Sequence, residues 1–323
     1  MNNNDEIQVS VCIVTYNQQE YIVDCLDSLV SQETDFKFEI IVGEDCSTDN
    51  TRAVLRQYVD QYPDLIVPIF HQNNVGPSEN ARQVYEKARG KYIAHVDGDD
   101  MALPGKLQKQ FDILEANPQA MICSHNVEGI LNDTISSEHH WYYPAGEYTF
   151  EDLLKKLPFF AHSSKMFKVT NDAGWNKLMS SEMVLDIELH LYQASMGTII
   201  HLEEYLGRYR ADVGISAMKG NKLNHGMIQK VESIYETLFR SYPDKTEAIK
   251  ESYASYLLGT ASSFAVIESN SNKMREYAIR SINQKFFSIK QLIMILLILF
   301  PSIGISILKR RHESRTASSR NVT

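Results

Sequence analysis

The stretch "KYIAHVDGDDMALPGKLQKQ", residues 91–110, sets Asp97-Gly98-Asp99-Asp100 directly behind the apolar run Tyr92-Ile93-Ala94-His95-Val96. Three carboxylates that close together repel one another and lose hydration badly at the end of a buried strand, unless something positive lies between them. An Asp-x-Asp offers oxygen ligands only, a hard donor set that favours Mg²⁺ or Mn²⁺ over zinc. Magnesium sites take one or two carboxylates and complete their shell with water and substrate phosphates. Asp97, Asp99 and Asp100 therefore point to a phosphate-bearing ligand held through a cation. Taken alone, an Asp-Gly pair is also ordinary turn chemistry.

The elements that must position these residues follow from apolar spacing. "IQVSVCIVTY" (7–16) reads as a strand, and "EYIVDCLDSLVSQ" (20–32) has helical spacing at Ile22, Cys25, Leu26 and Leu29. A second strand over 38–45 leads through "STDNT", rich in capping residue types, into a helix. A third strand covers 65–72, a helix closed by Gly90 covers 73–90, and "KYIAHVD" is a fourth strand. The helical pattern "PGKLQKQFDILEANP" comes next. Repeated βα units predict a mostly parallel sheet flanked by helices, with ligands at the carboxyl ends of the strands. Asp45 and the Asp97–Asp100 cluster both stand at such ends. Residues 120–215 mix short β runs, the aromatic loop "HHWYYPAGEY" and a helix beginning near Asp186, whereas 221–283 reads as helical.

Four stretches occur in order: "VSVCIVTYNQQEYIVDCLDSLVSQ", "FEIIVGEDCSTDNT", "NNVGPSENARQVYEKARGKYIAHVDGDD" and "LPGKLQKQFDILEANP". Together they resemble the family 2 glycosyltransferases, enzymes with the GT-A nucleotide-sugar-binding fold, closely over residues 7–125 and more loosely to about 216. The resemblance implies that Thr15, Tyr16, Asn17, Glu44 and Asp45 hold the nucleotide. Tyr16 would stack on the base, worth ~1–3 kcal/mol by analogy with other base–aromatic stacks. Asp45 would accept a hydrogen bond from an imide N–H, and Asn80 would lie nearby. Two aspartates are commoner in the family where this chain has Glu44-Asp45. Ser47, Asp49 and Thr51 read as helix-capping residues. The family's Asp-x-Asp falls on Asp97, Gly98 and Asp99, followed by Asp100, and its Mg²⁺ or Mn²⁺ bridges the diphosphate and neutralises the departing nucleotide.

Transfer to a hydroxyl needs a general base. Inverting members take it from an acid at the start of a helix in the second half, which the resemblance assigns to Asp186 in "MVLDIELHLYQA". An acid in a first turn also favours the helix dipole without doing chemistry, and Glu182 and Glu188 compete for the role. "GRYRADVGIS" keeps the family's Tyr209-Arg210 but has Asp212 where histidine is frequent. Arg208 and Arg210 are open to either phosphate contact or structural ion pairing. His139, His140 and His162 lack metal-ligand spacing and read as surface or acceptor-groove residues. The implied reaction moves a sugar from a nucleotide-diphospho-sugar, UDP-linked, to a hydroxyl of a glycan or lipid-linked acceptor, in one metal-dependent displacement with inversion. The alternative is a catalytically inactive sugar-nucleotide-binding or scaffold protein of a membrane glycan assembly. No glycine-rich basic loop and no GxGxxG follows the first strand, which disfavours nucleotidyltransferases and dinucleotide oxidoreductases.

Composition agrees with a globular protein: 43% of the 323 residues are hydrophobic and 23% charged. A formal net charge of −9 argues against a nucleic-acid partner. Cys12, Cys25, Cys46 and Cys123 show no CxxC spacing, as expected of free thiols in a reducing compartment. The start, "MNNNDEIQVSV", has no secretory pattern. From residue 285 onward seven basic residues face a single acid, Glu313, so that tail carries +6 and the remainder −15. It contains the apolar run 291–308 followed by Lys309-Arg310-Arg311, interrupted by Pro301 and Gly304. Eighteen residues is short for a span, so a buried terminal helix competes with association to an anionic membrane through residues 291–311. The expected organisation is a catalytic domain over 1–216, a helical region over 217–284 and an apolar, basic tail over 285–323, at the cytoplasmic face of the cell membrane.

Overall fold

Apolar runs bounded by polar turns become the strands of one ten-stranded sheet, and the amphipathic segments between them become its covering helices. The computed structural model describes residues 6–170, 172–211, 213, 223–299 and 303–310. It divides into two compact units, residues 1–153 with 157–217, and residues 154–156 with 218–323.

The first unit opens with β1 (Ile7–Thr15), α1 (Ile22–Val30), β2 (Lys37–Glu44), α2 (Thr51–Gln61), β3 (Ile66–Phe70), α3 (Pro77–Lys87) and β4 (Tyr92–Asp97). A two-residue β5 (Met101–Ala102) and α4 (Lys106–Ala116) precede the long β6 (Ala120–Leu131). Short pieces follow: β7 (Thr134–Ile135), β8 (Gly146–Tyr148), α5 (Phe150–Lys155), β9 (Met166–Lys168) and α6 (Ala173–Met179). Then come α7 (Asp186–Ala194) and β10 (Thr198–Arg210). The sheet order is β3-β2-β1-β4-β9-β6-β10-β5, with β7 on β6 and β8 on β10. Strands β1 to β4 pair in parallel, as do β6 and β10, while β9 runs antiparallel between β4 and β6. This is the mostly parallel, helix-flanked sheet that the alternating pattern predicts. The apolar residues of β1, β2, β4 and α1 form its core. Val14 pairs with Asp97 and Thr15 with Glu44, which brings the carboxyl ends of β1, β2 and β4 side by side.

Gly90 does not close α3, which ends at Lys87 with Ala88 as its cap. An added Cβ at Gly90 would stand 2.5 Å from the Ser10 backbone N, so this glycine lets the chain pass close to β1. Of the residues expected as caps of α2, Asp49 does serve its start, its Oδ1 accepting from Thr51 N at 2.9 Å, while Asn50 at the N-cap position makes no side-chain capping bond. Ser47, Asp49 and Thr51 also all reach across to the loop after β1. Ser47 Oγ accepts from Asn17 N at 3.0 Å, Asp49 Oδ2 from Gln19 N at 3.1 Å, and Thr51 Oγ1 from Gln18 N at 2.8 Å. They lace the loop after β1 to the loop after β2.

The second unit consists largely of α8 (His225–Ser241), α9 (Thr246–Val266), α10 (Ser271–Gln284) and α11 (Ile289–Leu299). Residues 303–310 are also helical. Leu257, Phe264, Met274, Tyr277 and Met294 share one apolar core. Among the described residues no helix is long and apolar enough to cross a membrane. Asp212, Pro301 and Arg311 lie outside the described residues.

Candidate active site

Most of the expected site gathers on one rim, at the carboxyl ends of β1, β2 and β4. Gly98 N donates to Val14 O at 3.0 Å and Asp45 N to Thr15 O at 3.0 Å, so the three strand ends are tied together beyond their last ladder pairs. A Cβ on Gly98 would meet Gln18 Oε1 at 2.5 Å and Thr15 Cβ at 2.8 Å. Only glycine lets the acidic turn approach β1 this closely. Thr15 is buried and donates to Gln18 Oε1 at 2.7 Å, while Tyr16 is 44% exposed at the mouth of the rim. Asn17 has φ 53°, and its Oδ1 accepts from Thr48 N at 2.8 Å. That bond holds the left-handed residue in place behind the open tyrosine ring.

Three of the expected nucleotide residues are committed to the fold. Glu44 is fully buried, accepting from Ser47 N at 2.6 Å and from Arg52 Nε. Asp45 accepts from Val75 N at 2.6 Å and Gly76 N at 2.9 Å, one bond on each oxygen. Its carboxylate shapes the loop before α3 and keeps acceptor capacity for one further donor on each oxygen. Asn80, expected beside the nucleotide, is 2% exposed instead. Its amide donates to Gly43 O at 2.8 Å and its Oδ1 meets His71 Nε2 at 3.0 Å, a bracket between α3 and β2. Burial, with both carboxylate oxygens of Glu44 and both ends of the Asn80 amide engaged, places these two side chains behind the site wall and not on it.

The acidic turn is electrostatically uneven. The Asp97 side chain is 34% exposed, whereas Asp99 and Asp100 are buried. Burial works against the Asp97 charge, yet His95 Nε2 at 3.1 Å, Ser163 Oγ at 3.1 Å and the nearby Lys106 hold its carboxyl below the usual value. Burial first, and the Asp97 charge second, push Asp99 up to about 7 although Gln18 hydrogen-bonds it. Asp100 is raised too, by burial and then by Asp99 and Asp97. Its Oδ1 accepts from Arg210 N at 3.1 Å and Ser163 draws its pKa down somewhat, but among the described residues its buried Oδ2 has no partner within hydrogen-bonding distance. Partial relief comes from beneath: buried Lys106 donates to Ser163 O, and burial lowers that lysine to about 8.

Mutual repulsion and an orphaned buried oxygen are what an oxygen-only cation site looks like before its ion arrives, so the acidic turn fits Mg²⁺ or Mn²⁺. Among the described residues no three His, Cys, Asp or Glu side chains form a ready-made metal cage. A cation here would have to complete its shell with ligands from outside the protein.

Asp186 reaches this rim from the far end of the sequence. Ser78, two residues beyond the Gly76 that binds Asp45, accepts through Oγ from Val184 N at 3.1 Å. That bond docks the segment leading into α7 beside the β3–α3 loop. Asp186 is the first residue of α7, and its Oδ1 accepts from Ile187 N at 2.8 Å. Burial raises its carboxyl above the usual range; Lys165 and His95 pull it down and Asp97 pushes it up, which puts all three within electrostatic reach. Of its rivals, Glu188 is taken up by the helix start, accepting from Leu185 N at 2.9 Å, and Glu182 is exposed before the helix begins.

A second layer escaped sequence reasoning. His95 Nδ1 meets the Tyr85 hydroxyl at 2.8 Å, and its ring centroid lies 4.0 Å from that of His162. His162 Nδ1 meets His190 Nε2 at 3.0 Å. Burial holds both rings of that pair well below the usual histidine range, so they are neutral. His162 is half-buried within this cluster of rings. Buried Lys165 donates to Gln193 Oε1 at 3.2 Å, and burial lowers it to about 7. The only signal in the sequence was a lysine set between "HSS" and the apolar run of β9. Arg208 and Arg210 resolve towards ion pairing: Arg208 Nε meets Glu128 at 2.8 Å, and buried Arg210 binds Asp24 at 2.9 Å and Asp133, with Tyr21 beneath its guanidinium.

A model of the family described as glycosyl transferase family 2 matches residues 10–174. The chain belongs to glycosyltransferase family 2. An uncharacterized glycosyltransferase of Methanocaldococcus jannaschii is 30% identical over 242 residues, 68% of this chain and 77% of its own. An uncharacterized protein of Mycobacterium tuberculosis (strain H37Rv) is 32% identical over 206 residues, 62% of this chain. The match spans 58% of that mycobacterial protein's length. A crystal structure of S. aureus TarS 1-349 in complex with UDP-GlcNAc superimposes with a TM-score of 0.65 at 17% identity, over 97% of this chain and 92% of TarS 1-349. That likeness is one of fold, and it agrees with the GT-A architecture that the family resemblance implied.

Proposed function

We propose that the chain transfers a sugar from a UDP-linked donor to a hydroxyl of a glycan or lipid-linked acceptor, with inversion, at the cytoplasmic face of the cell membrane. The observation that carries the reading is Asp186: a carboxyl with a raised pKa, at a helix start, within electrostatic reach of Asp97 on the acidic turn. Tyr16 offers an exposed ring for the base, and Asp45 has acceptor capacity left for an imide N–H. Asp97 and Gly98 border the nucleotide, and Asp99, with Asp97 and Asp100, would hold Mg²⁺ or Mn²⁺. When bound, that ion supplies positive charge against the diphosphate leaving group. Asp186 takes the acceptor hydroxyl's proton as its oxygen bonds to the anomeric carbon from the face opposite the diphosphate. The carbon–phosphate-oxygen bond breaks in the same step, which inverts the centre.

The test is transfer and donor hydrolysis across a panel of nucleotide sugars, with Mn²⁺ and with EDTA. A UDP-sugar turned over only with the metal supports the reading. Donor binding without turnover under every condition would favour the scaffold alternative.

A further inference from the structure

The apolar tail is divided in a way that its sequence does not disclose. A Cβ placed on Gly304 would lie 2.5 Å from Leu297 O and 2.9 Å from Leu297 Cβ. In one continuous helix those positions would be separated by about 10 Å of rise. Helix α11 and the helix over 303–310 thus fold against each other within the second unit. Their inner side belongs to that unit's core: Met294 is buried, and Ile298, Ile305 and Leu308 pack on the same cluster. Gln291, fully buried, fastens the turn before α11 through Ser281 Oγ at 3.0 Å and Lys285 O at 2.9 Å.

The outer side is apolar as well. Ile289 is 70% exposed, and Leu292, Ile293, Leu299, Ile303 and Ile307 are all exposed. Along this stretch the charge is of one sign, although Lys285 is paired with Glu251 at 3.1 Å and Glu247 at 3.6 Å, which leaves Lys290, Lys309 and Arg310 as the cations for a partner. Residues 285–310 contain Lys285, Lys290, Lys309 and Arg310 and no acid. We infer that this helical pair is an interfacial membrane anchor: it lies on an anionic bilayer with its outer side chains among the acyl chains and its cations against lipid phosphates. The inference rests on the membrane-side reading above and adds the surface, the lipid class and the mode, lying on the bilayer and not crossing it. Large apolar side chains on one face with flanking lysine and arginine are what such binding needs. The charge also argues against a second copy of the chain as occupant, because a two-fold contact would bring the same cations together.

The experiment is flotation of the full chain with phosphatidylcholine vesicles, with and without phosphatidylglycerol. The chain floats with the anionic vesicles, and added salt weakens the binding. The double substitution Leu292→Glu/Ile303→Glu lowers the bound fraction about tenfold or more by setting charge in the apolar face. Lys290→Gln/Lys309→Gln/Arg310→Gln does the same on anionic vesicles alone. Both variants keep the parent's circular dichroism, since Leu292, Ile303, Lys290 and Arg310 are exposed and half-buried Lys309 gives up a single bond, to Ser269 Oγ. Equal flotation of parent and Leu292→Glu/Ile303→Glu would overturn the inference, as would no flotation at all. Retention after alkaline carbonate washing would mean spanning, and a vesicle-free dimer that the same pair of substitutions dissolves would assign the face to a second copy; either overturns it. Flotation is read without donor or acceptor, so it fails independently of the transfer reading.

Discussion

Asp186 carries two demands that pull in opposite directions: it must be charged to accept a proton, and burial raises its pKa. Lys165 is the counterweight. Replacing Asp186 with Asn should lower kcat by roughly 10²–10⁴-fold, the usual contribution of a general base, while donor affinity measured by calorimetry stays unchanged. The acid limb of the rate profile should lie above the ordinary carboxylate value of about 4, because the working form is the ionised one. Lys165→Met should move that limb higher still, since removing a nearby cation favours the neutral acid. A limb that stays put, read from kcat/KM against pH, would remove Lys165 from the site's electrostatics. His95 acts one step back: by bridging Tyr85 and Asp97 it orients the carboxylate that faces the cleft.

At the scale of elements, the site depends on strand ends approaching more closely than side chains normally allow. Gly98 and Gly90 are two of the places where the surroundings leave no room for a Cβ. The obstruction at Gly90 is main chain, so it cannot swing aside. Gly90→Ala should destabilise the fold by about 1–3 kcal/mol through overpacking, seen as a lower urea midpoint with an unchanged slope. At Gly98 the nearest atom is the end of the flexible Gln18 side chain, but Thr15 Cβ lies close behind. Gly98→Ala should therefore weaken donor binding more than it lowers stability. The loops after β1 and β2 act as one piece through Asn17, Ser47, Asp49 and Thr51. Side chains whose types suggest helix caps here also form a cross-loop lattice beneath the strand-end rim.

For the molecule as a whole, the balance of buried charge sets how stability follows pH. Burial lowers Lys165 to about 7 and Lys106 to about 8 from an unfolded value of 10.5. The unfolded chain then binds more protons than the folded one between those values, so stability rises with pH across that window and is lost as pH falls back through 8 and 7. Asp99 does the reverse. Its pKa climbs from 3.8 to about 7, so the stability it lends is complete below 3.8 and disappears as pH rises to about 7. Denaturant titrations from pH 4 to 10 should show both slopes. Lys165→Met should flatten the upper one, because the group whose proton binding differs between the folded and unfolded chain is then gone.

Periodicity and local chemistry were enough to give the sheet its strand-end rim, and Asp97, Asp99 and Asp100 stood out because an acidic run at a strand end is a local feature, whereas Asp186 was singled out among its rivals only through the family resemblance. Glu44 and Asn80 were not readable in this way. Whether a polar side chain faces a ligand or the packing behind it depends on which partners lie across the fold, and Arg52, His71 and Gly43 come from other elements. The same holds for Lys106, Lys165 and the paired histidines, whose neighbours arrive from distant stretches of chain. Apolar content marked the C-terminal tail, but only the contact between Gly304 and Leu297 divides it into two short helices. Sequence determines what each segment can bury; the tertiary structure decides which charged groups burial forces together, because desolvation and Coulomb energy depend on neighbours that sequence order does not name.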